Sequence, residues 1–239
     1  FTTSHPKDLS PDLMLAFKTL DKMCRHIHLP VQSGSNRILK RMNRKYSRKI
    51  YLEKIDKLRN ICPDMAITSD IIVGFPGETK ADFEKTLELI KEVEFDGLFA
   101  FKYSDRPNAA AARFEDKISE KEKKQRLQQV LTLQSHFTIQ KNTALVGSTQ
   151  SILVEGLSKK QTRIDKHNMN LDIQWTGRTS TNKIVNFSRG HDAVSGDEIA
   201  TGRMVTVKIL NAHSHSLWGE PVNTMPIFLG SGGEKSYVA

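Results

Sequence analysis

The chain has 239 residues, 38% of them hydrophobic and 26% charged, a composition that indicates one or two folded domains and excludes a disordered chain. The 36 Lys and Arg residues exceed the 27 Asp and Glu residues by nine, which favours an anionic partner, commonly nucleic acid, or serves only solubility. No apolar run approaches the roughly 20 residues that span a bilayer and no signal peptide is visible, so we expect no membrane contact. The two cysteines indicate no disulfide framework, so we expect a protein of the reducing cytoplasm.

The first part of the chain alternates strand-like runs with amphipathic helices. Apolar runs predict strands at 27–31, 65–73 and 98–103. Two helices are predicted between them, one that begins at its N-cap Ser47 and ends before Pro63, and one that begins at its N-cap Thr79. The strand–helix–strand order predicts a parallel sheet with helical crossovers, part of a β/α barrel.

The pattern changes after residue 118. Ser119 and Glu122 have the spacing of a capping box, and the long helix that they begin is predicted to run to Asn142. Short strands joined by polar turns then predict a small antiparallel barrel, at 151–155, 173–176, 183–187, 204–211 and 217–221. We therefore divide the chain into a partial α/β barrel, a linker helix, an all-β barrel and a flexible tail, at 1–118, 119–145, 146–223 and 224–239.

Polar residues follow the predicted strands of the first part. Gln32 and Ser33 follow the first strand, a turn that begins at Gly74 follows the second, and Tyr103 and Arg106 follow the third. Function in a β/α barrel gathers at these carboxyl ends of the strands. The glycine either lets a ligand approach the backbone or simply turns the chain into the next helix, and both interpretations stay open.

Two other groups of polar residues have open interpretations. His26 and His28 lie two apart in a strand and face the same side, where they either bind a metal or pack and hydrogen-bond. The basic run at 40–49, which contains Arg44 and Lys45, either contacts phosphate or forms a solvated helix face.

Cations and aromatic residues are interleaved in the predicted second barrel. Arg178 and Lys183 lie among Trp175, Phe187 and Trp218. Such a mixture is typical of a nucleic-acid surface on an OB-type barrel, although some of the aromatic rings must fill the barrel core, Phe187 first among them.

Four segments resemble the radical-SAM methylthiotransferases, in order and over nearly the whole chain. HIHLPVQSGSNRILKRM at 26–42 and SDIIVGFPGET at 69–79 resemble two strand motifs of that family, and YSDRP at 103–107 resembles a third. Residues 147–221 resemble its RNA-binding TRAM domain. The resemblance implies a partial radical-SAM β/α barrel followed by a small OB-like TRAM barrel.

The resemblance also implies a chemistry. Members of the family use S-adenosylmethionine, two [4Fe–4S] clusters and an electron donor such as flavodoxin or ferredoxin to methylthiolate their substrate. The motifs most resemble the MiaB-type branch, which acts at C2 of N6-isopentenyladenosine beside the tRNA anticodon. Other branches act on threonylcarbamoyl-adenosine of tRNA or on an aspartate of a ribosomal protein, and a non-catalytic RNA-binding fragment is the alternative from another class. We expect a monomer.

The family's functional residues carry over by motif position. The resemblance implies that Gln32, Ser33 and Asp70 contact S-adenosylmethionine and that the backbone at Phe101 and Tyr103 flanks its adenine. The cations expected at the substrate or at RNA are Arg44, Lys45, Arg106, Arg178 and Lys183.

The cysteines depart from the family pattern. Cys24 and Cys62 have no Cys-x2-Cys spacing, so they indicate neither a zinc site nor a disulfide and are predicted to be small buried hydrophobes. The family's Cys-x3-Cys-x2-Cys motif is absent. We therefore expect the missing part to lie upstream of Phe1 and this chain alone to bind no cluster and catalyse nothing. Asn108 and Ala109 also replace the family's Gly-Thr, which changes the expected loop shape.

Overall fold

The computed structural model describes residues 5–159, 173–188 and 199–222, so the expected tail at 224–239 lies outside the described residues. Within them the helices are α1 (Pro11–Thr19), α2 (Asn36–Arg41), α3 (Arg48–Ile61), α4 (Lys80–Val93) and α5 (Glu120–Thr143). The strands are β1 (His26–His28), β2 (Ala66–Val73), β3 (Gly97–Lys102), β4 (Thr149–Leu157), β5 (Gln174–Thr179), β6 (Ile184–Ser188), β7 (Met204–Ala212) and β8 (Leu217–Pro221). None of the described helices is long and apolar enough to cross a membrane.

A parallel sheet in the order β1-β2-β3 confirms the β/α organisation of the first part. The ladder of β1 ends at His28, earlier than predicted. The chain nevertheless continues beside β2, because the Leu29 N–H donates to the Thr68 carbonyl and the Gln32 N–H donates to the Asp70 carbonyl, both at 2.8 Å. These hydrogen bonds carry Gln32 to the carboxyl half of β2.

Local sequence signals predicted the helix starts correctly. Ser47 caps α3, and Thr79 caps α4 in a reciprocal capping box. Ser119 accepts the Glu122 N–H at 3.2 Å, as predicted for α5. The second half of that predicted capping box is wrong, because the Glu122 carboxylate binds Arg126 instead.

Helix α5 buries charged residues that the sequence pattern did not single out. Lys123 and Arg126 are buried together with Val130 and Phe137, whereas Leu131 is 43% exposed. Buried cations need anionic partners. Glu78, in the turn after β2, pairs with Arg126, and Glu120 at the start of α5 pairs with Lys123.

The second part is a closed barrel with the strand order β4-β5-β6-β8-β7. The predicted all-antiparallel pairing is wrong between β6 and β8, which run parallel. A closed ring of five strands cannot alternate in direction at every junction, so one parallel pair is required. Phe187 is fully buried in the barrel core, as predicted. The other buried core residues are Ile152, Val154, Val185, Val207, Ile209 and Leu217.

Candidate functional site

A cavity of about 640 Å³ lies against the carboxyl halves of β2 and β3. It brings together four of the five residues expected at the cofactor, and its lining includes Gln32, Asp70, Phe101 and Tyr103. The carboxyl ends of parallel strands share one edge of a sheet, which is why residues so distant in sequence meet here.

Backbone hydrogen bonds fix Gln32 at the cavity. Its φ of 72° is left-handed, its N–H donates to the Asp70 carbonyl at 2.8 Å, and its carbonyl accepts the Ile72 N–H at 2.9 Å. The buried hydroxyl of Tyr46 donates to the Val31 carbonyl and that of Tyr51 donates to the Leu29 carbonyl, each at 2.9 Å. A left-handed residue locked from both sides is the kind of local strain found at binding sites.

Asp70 supplies the carboxylate of the cavity. Its Oδ1 lies 3.3 Å from Nε2 of His28, and its side chain is 26% exposed. His28 and His26 each hydrogen-bond to Thr68 Oγ1, at 3.0 and 3.1 Å, so the histidine pair packs and hydrogen-bonds. Burial lowers the pKa of His26 to about 4, which keeps that ring neutral at pH 7. No group of three His, Cys, Asp or Glu that could hold a metal ion occurs among the described residues.

Aromatic rings form the apolar part of the cavity lining. Phe101 lies on the edge strand β3, and its side chain is 54% exposed. Tyr103 meets Phe75 edge to face, with their ring centroids 5.0 Å apart. Both rings line the cavity beside Phe101. Flat rings next to a carboxylate and an amide match a ligand with an aromatic base and a cationic end.

Ser33 lies behind the cavity wall rather than at it. The residue is fully buried, and its hydroxyl lies 3.4 Å from Thr86 Oγ1 on α4. The Gly34 N–H donates to the same threonine at 3.0 Å, and Ser35 caps α2. These contacts fasten the loop after β1 to α4, so Ser33 supports Gln32 in this structure.

Asp82 is the acceptor that completes this attachment. Its side chain is 5% exposed and accepts hydrogen bonds from Ser35 at 2.6 Å, from Thr79 at 2.6 and 3.0 Å, and from Arg37. Burial alone would raise the pKa of this carboxyl group, but the hydrogen bonds from Arg37, Ser35 and Thr79 outweigh it and hold the pKa well below its usual range.

We expect Asp82→Asn to lower the free energy of unfolding by about 2–3 kcal/mol at pH 7, because the charged acceptor of a buried network is lost. A depressed folded-state pKa contributes stability above the unfolded value, near pH 4, and that contribution disappears as the pH falls further. The difference between the two proteins should therefore shrink below about pH 4. Urea denaturation at pH 7 and pH 3 measures it, with the exposed Asp56→Asn as control, and a pH-independent difference would contradict the assignment.

The mouth of the cavity is basic. Arg44 and Arg106 both line it, and neither has an ion pair with a carboxylate among the described residues. Arg41 also lines it but is held by Asp116 at 2.8 Å. Lys45 is exposed, and its ammonium donates to Asn43 Oδ1 at 2.6 Å. The structure thus gathers Arg44 and Arg106 beside the cofactor candidates.

The barrel cations Arg178 and Lys183 lie elsewhere. They line a second cavity, of about 500 Å³, between β3, α5 and the barrel. Arg178 Nε donates to Glu155 at 2.9 Å. Lys183 lies 3.4 Å from Asp96 and donates to Asn142 at 3.0 Å, with its side chain 13% exposed. In this arrangement Lys183 joins the barrel to the first part of the chain and offers little surface to a phosphate.

Sequence reasoning missed several residues of the first cavity. Ile72 lines it because it lies two positions after Asp70, on the same face of β2, so strand periodicity was a usable signal. Arg41 lies within the basic run at 40–49, and nothing in the sequence distinguished it from the other cations there. Phe75 lies in the turn after β2 that the sequence indicated, and the alanines at 109–111 lie at the start of a short 3-10 helix that no sequence signal indicated.

Two family models match separate parts of the chain. Residues 1–90 match the profile of the Radical SAM superfamily, and residues 143–222 match that of the TRAM domain. The cavity residues from Gln32 to Phe75 lie in the first matched region, those from Phe101 onward follow it, and the barrel lies in the second.

The chain is similar to curated proteins named tRNA-2-methylthio-N(6)-dimethylallyladenosine synthase. The one from Desulfosudis oleivorans is 51% identical over 235 residues, 98% of this chain and 49% of the relative. Those from Syntrophus aciditrophicus and Thermoanaerobacter pseudethanolicus are 50% and 44% identical, each over 44% of their own length. The chain therefore spans about half the length of the curated relatives it matches.

A solved structure of a radical SAM enzyme, coproporphyrinogen III oxidase (HemN) from Escherichia coli, superposes with a TM-score of 0.47 at 22% identity. The superposition covers 56% of this chain and 31% of the other.

Proposed function

Because this chain belongs to the methylthiotransferases that join a radical SAM region to a TRAM domain, we propose that it forms part of a tRNA-modifying enzyme. The reaction is methylthiolation at C2 of N6-isopentenyladenosine beside the anticodon. The observation that carries the proposal is the 51% identity to a synthase of that modification over 98% of this chain. A cytoplasmic location and a one-electron donor such as flavodoxin or ferredoxin belong to the same proposal.

The first cavity is the proposed site for S-adenosylmethionine. Its donor set fits the ligand, since the Asp70 carboxylate suits a sulfonium or ammonium group and the exposed Phe101 ring suits the adenine. When bound in a complete enzyme, S-adenosylmethionine supplies both the radical that activates the adenosine and the methyl group. The part of this chain is to bind the ligand through Gln32 and Asp70, to orient it against Phe101 and Tyr103, and to limit the access of water.

The described residues do not fit an iron–sulfur cluster. Cys62 is buried as predicted, but the same prediction is wrong for Cys24, which is exposed. The described residues contain no group of three metal-binding side chains. Cluster ligation normally needs three or four thiolates. The clusters that the family uses would have to be held by residues other than those described.

The RNA is proposed to cross the mouth of the cavity. Arg44 and Arg106 face that mouth without ion pairs among the described residues, and the exposed Lys45 lies next in sequence to Arg44. Arg178 adds a partly exposed cation on the barrel. Cations of this kind bind phosphates and position a nucleic acid without reading its bases.

We expect Arg106→Ala to weaken binding of an anticodon stem-loop RNA and to reduce the slope of log Kd against log salt by about one, the signature of one lost phosphate contact. Fluorescence anisotropy at four salt concentrations measures both quantities. Lys57→Ala, on the far side near α1, removes the same charge and serves as the matched control. A slope equal to that of the unsubstituted chain would rule Arg106 out as a phosphate contact.

A further inference from the structure

A buried carboxylate closes the turn that follows β2. Gly74 and Gly77 have left-handed φ values of 69° and 78°. The Gly74 N–H donates to Glu78 Oε2 at 2.7 Å, and the Glu78 side chain is 1% exposed. Phe75, which lines the first cavity, lies inside this closed turn, so the carboxylate fixes where that ring is placed.

Arg126 holds the carboxylate from α5. Its guanidinium donates to the Glu78 carboxylate at 2.5 Å and to the Glu78 carbonyl at 2.9 Å, and it pairs with Glu122 one turn earlier. Burial raises the pKa of Glu78, against the opposing effects of the Gly74 N–H and Arg126. Without the guanidinium the carboxyl group would take up a proton more readily, and the Gly74 amide would lose its charged acceptor.

Lys123, three residues before Arg126 on α5, packs on the same loop after β2 and approaches the ring of Tyr103. Its stem occupies the space where a Cβ on Gly74 would lie, 2.4 Å from Lys123 Cγ. Its ammonium lies 5.7 Å from the centroid of the Tyr103 ring and donates to Glu120 at 2.9 Å. A cation over a ring face holds that ring in place. Neither Lys123 nor Arg126 lines the cavity itself.

We propose that Arg126 and Lys123 are positioning residues for the first cavity. Arg126 acts through Glu78 on Phe75, and Lys123 acts through Gly74 and Tyr103. The helix that leads to the TRAM barrel thereby sets the shape of the ligand cavity. The inference rests on the proposed function, because it takes S-adenosylmethionine as the ligand.

The test is a titration of the isotope-labelled chain with S-adenosylmethionine, followed by the amide signals of Gln32, Asp70 and Tyr103. We expect Arg126→Met and Lys123→Met each to raise about fivefold the S-adenosylmethionine concentration that gives half of the maximal signal shift. Each variant loses a charged contact behind the wall of the first cavity. Lys124→Met removes the same charge from an exposed position of α5 and should leave the titration unchanged.

The outcomes separate the two proposals. If the unsubstituted chain binds and a folded Arg126→Met chain binds equally well, the positioning role is wrong. A purely structural role would lower the melting temperature without moving the half-saturation point. If Arg126→Met does not fold, Lys123→Met decides, because it keeps the methylene stem over Gly74 and removes only the ammonium. If the unsubstituted chain shows no shifts in the cavity, the proposed ligand is wrong and the positioning role falls with it.

Discussion

Asp70→Asn should weaken binding of S-adenosylmethionine by roughly 10- to 100-fold, a larger effect than that expected for Arg126→Met or Lys123→Met. The carboxylate lies in a partly enclosed cavity with a side-chain exposure of 26%, and the Nε2 atom of His28 lies 3.3 Å away. A hydrogen bond to a charged group contributes about 1.5–3 kcal/mol, which corresponds to that range of affinity. The amide keeps the shape of the side chain, so the change reports the lost charge.

The same titration with adenosine shows which part of the ligand Asp70 contacts. Adenosine carries neither the sulfonium nor the ammonium group, so its weaker binding should change little in Asp70→Asn. Asp56→Asn removes an exposed carboxylate from α3 and serves as the matched control. Equal affinity of Asp70→Asn and the unsubstituted chain for S-adenosylmethionine would remove Asp70 from the site.

Gly34→Ala should destabilise the first part of the chain by about 3 kcal/mol, a shift in melting temperature of roughly 6–12 °C. A Cβ at this position would lie 2.2 Å from the Lys85 carbonyl oxygen and 2.6 Å from the Thr86 Cα. These are backbone atoms of α4, which cannot move aside as a flexible side chain can. The loop that carries Gln32 would be pushed away from its support, so ligand binding should weaken as well.

Gly97→Ala is the control for the loss of glycine itself. Its Cβ would meet only the Thr68 methyl group, at 3.5 Å, which is an ordinary contact. We expect that substitution to change the free energy of unfolding by less than about 1 kcal/mol. Thermal unfolding followed by circular dichroism compares the two variants. Equal melting temperatures would mean that the close approach of the loop to α4 is not maintained in solution.

The parts of this fold that the sequence predicted are those set by neighbours in the chain. Ser47 and Thr79 cap helices because the hydroxyl of each accepts a hydrogen bond from the N–H three residues later. A spacing of three residues can be read directly from the sequence. The polar residues after the first and third strands could be expected together because parallel strands end at one edge of a sheet. Gln32, Tyr103 and Arg106 accordingly share a cavity, whereas Asp70 lies within β2 and was expected there only from the family resemblance.

The parts that sequence did not predict depend on contacts between distant residues. Arg126 and Glu78 are 48 positions apart, and nothing local marks either as buried. Ser33 follows β1 as closely as Gln32 does, yet its hydroxyl lies beside Thr86 on α4. Lys183 was expected to be a cation on the barrel surface, but its Nζ lies 3.4 Å from Asp96 Oδ1, and Asp96 belongs to the first part of the chain. In each case tertiary packing decides the partner.

The most direct test is nucleoside analysis of tRNA from a bacterial strain that lacks its own methylthiotransferase. The strain would express the reading frame that encodes this chain, with any in-frame sequence upstream, and its tRNA would be digested and measured by mass spectrometry. We predict the appearance of 2-methylthio-N6-isopentenyladenosine at the expense of N6-isopentenyladenosine, and its loss with Asp70→Ala. Unmodified N6-isopentenyladenosine, or a methylthio group found only on threonylcarbamoyl-adenosine, would contradict the proposed function.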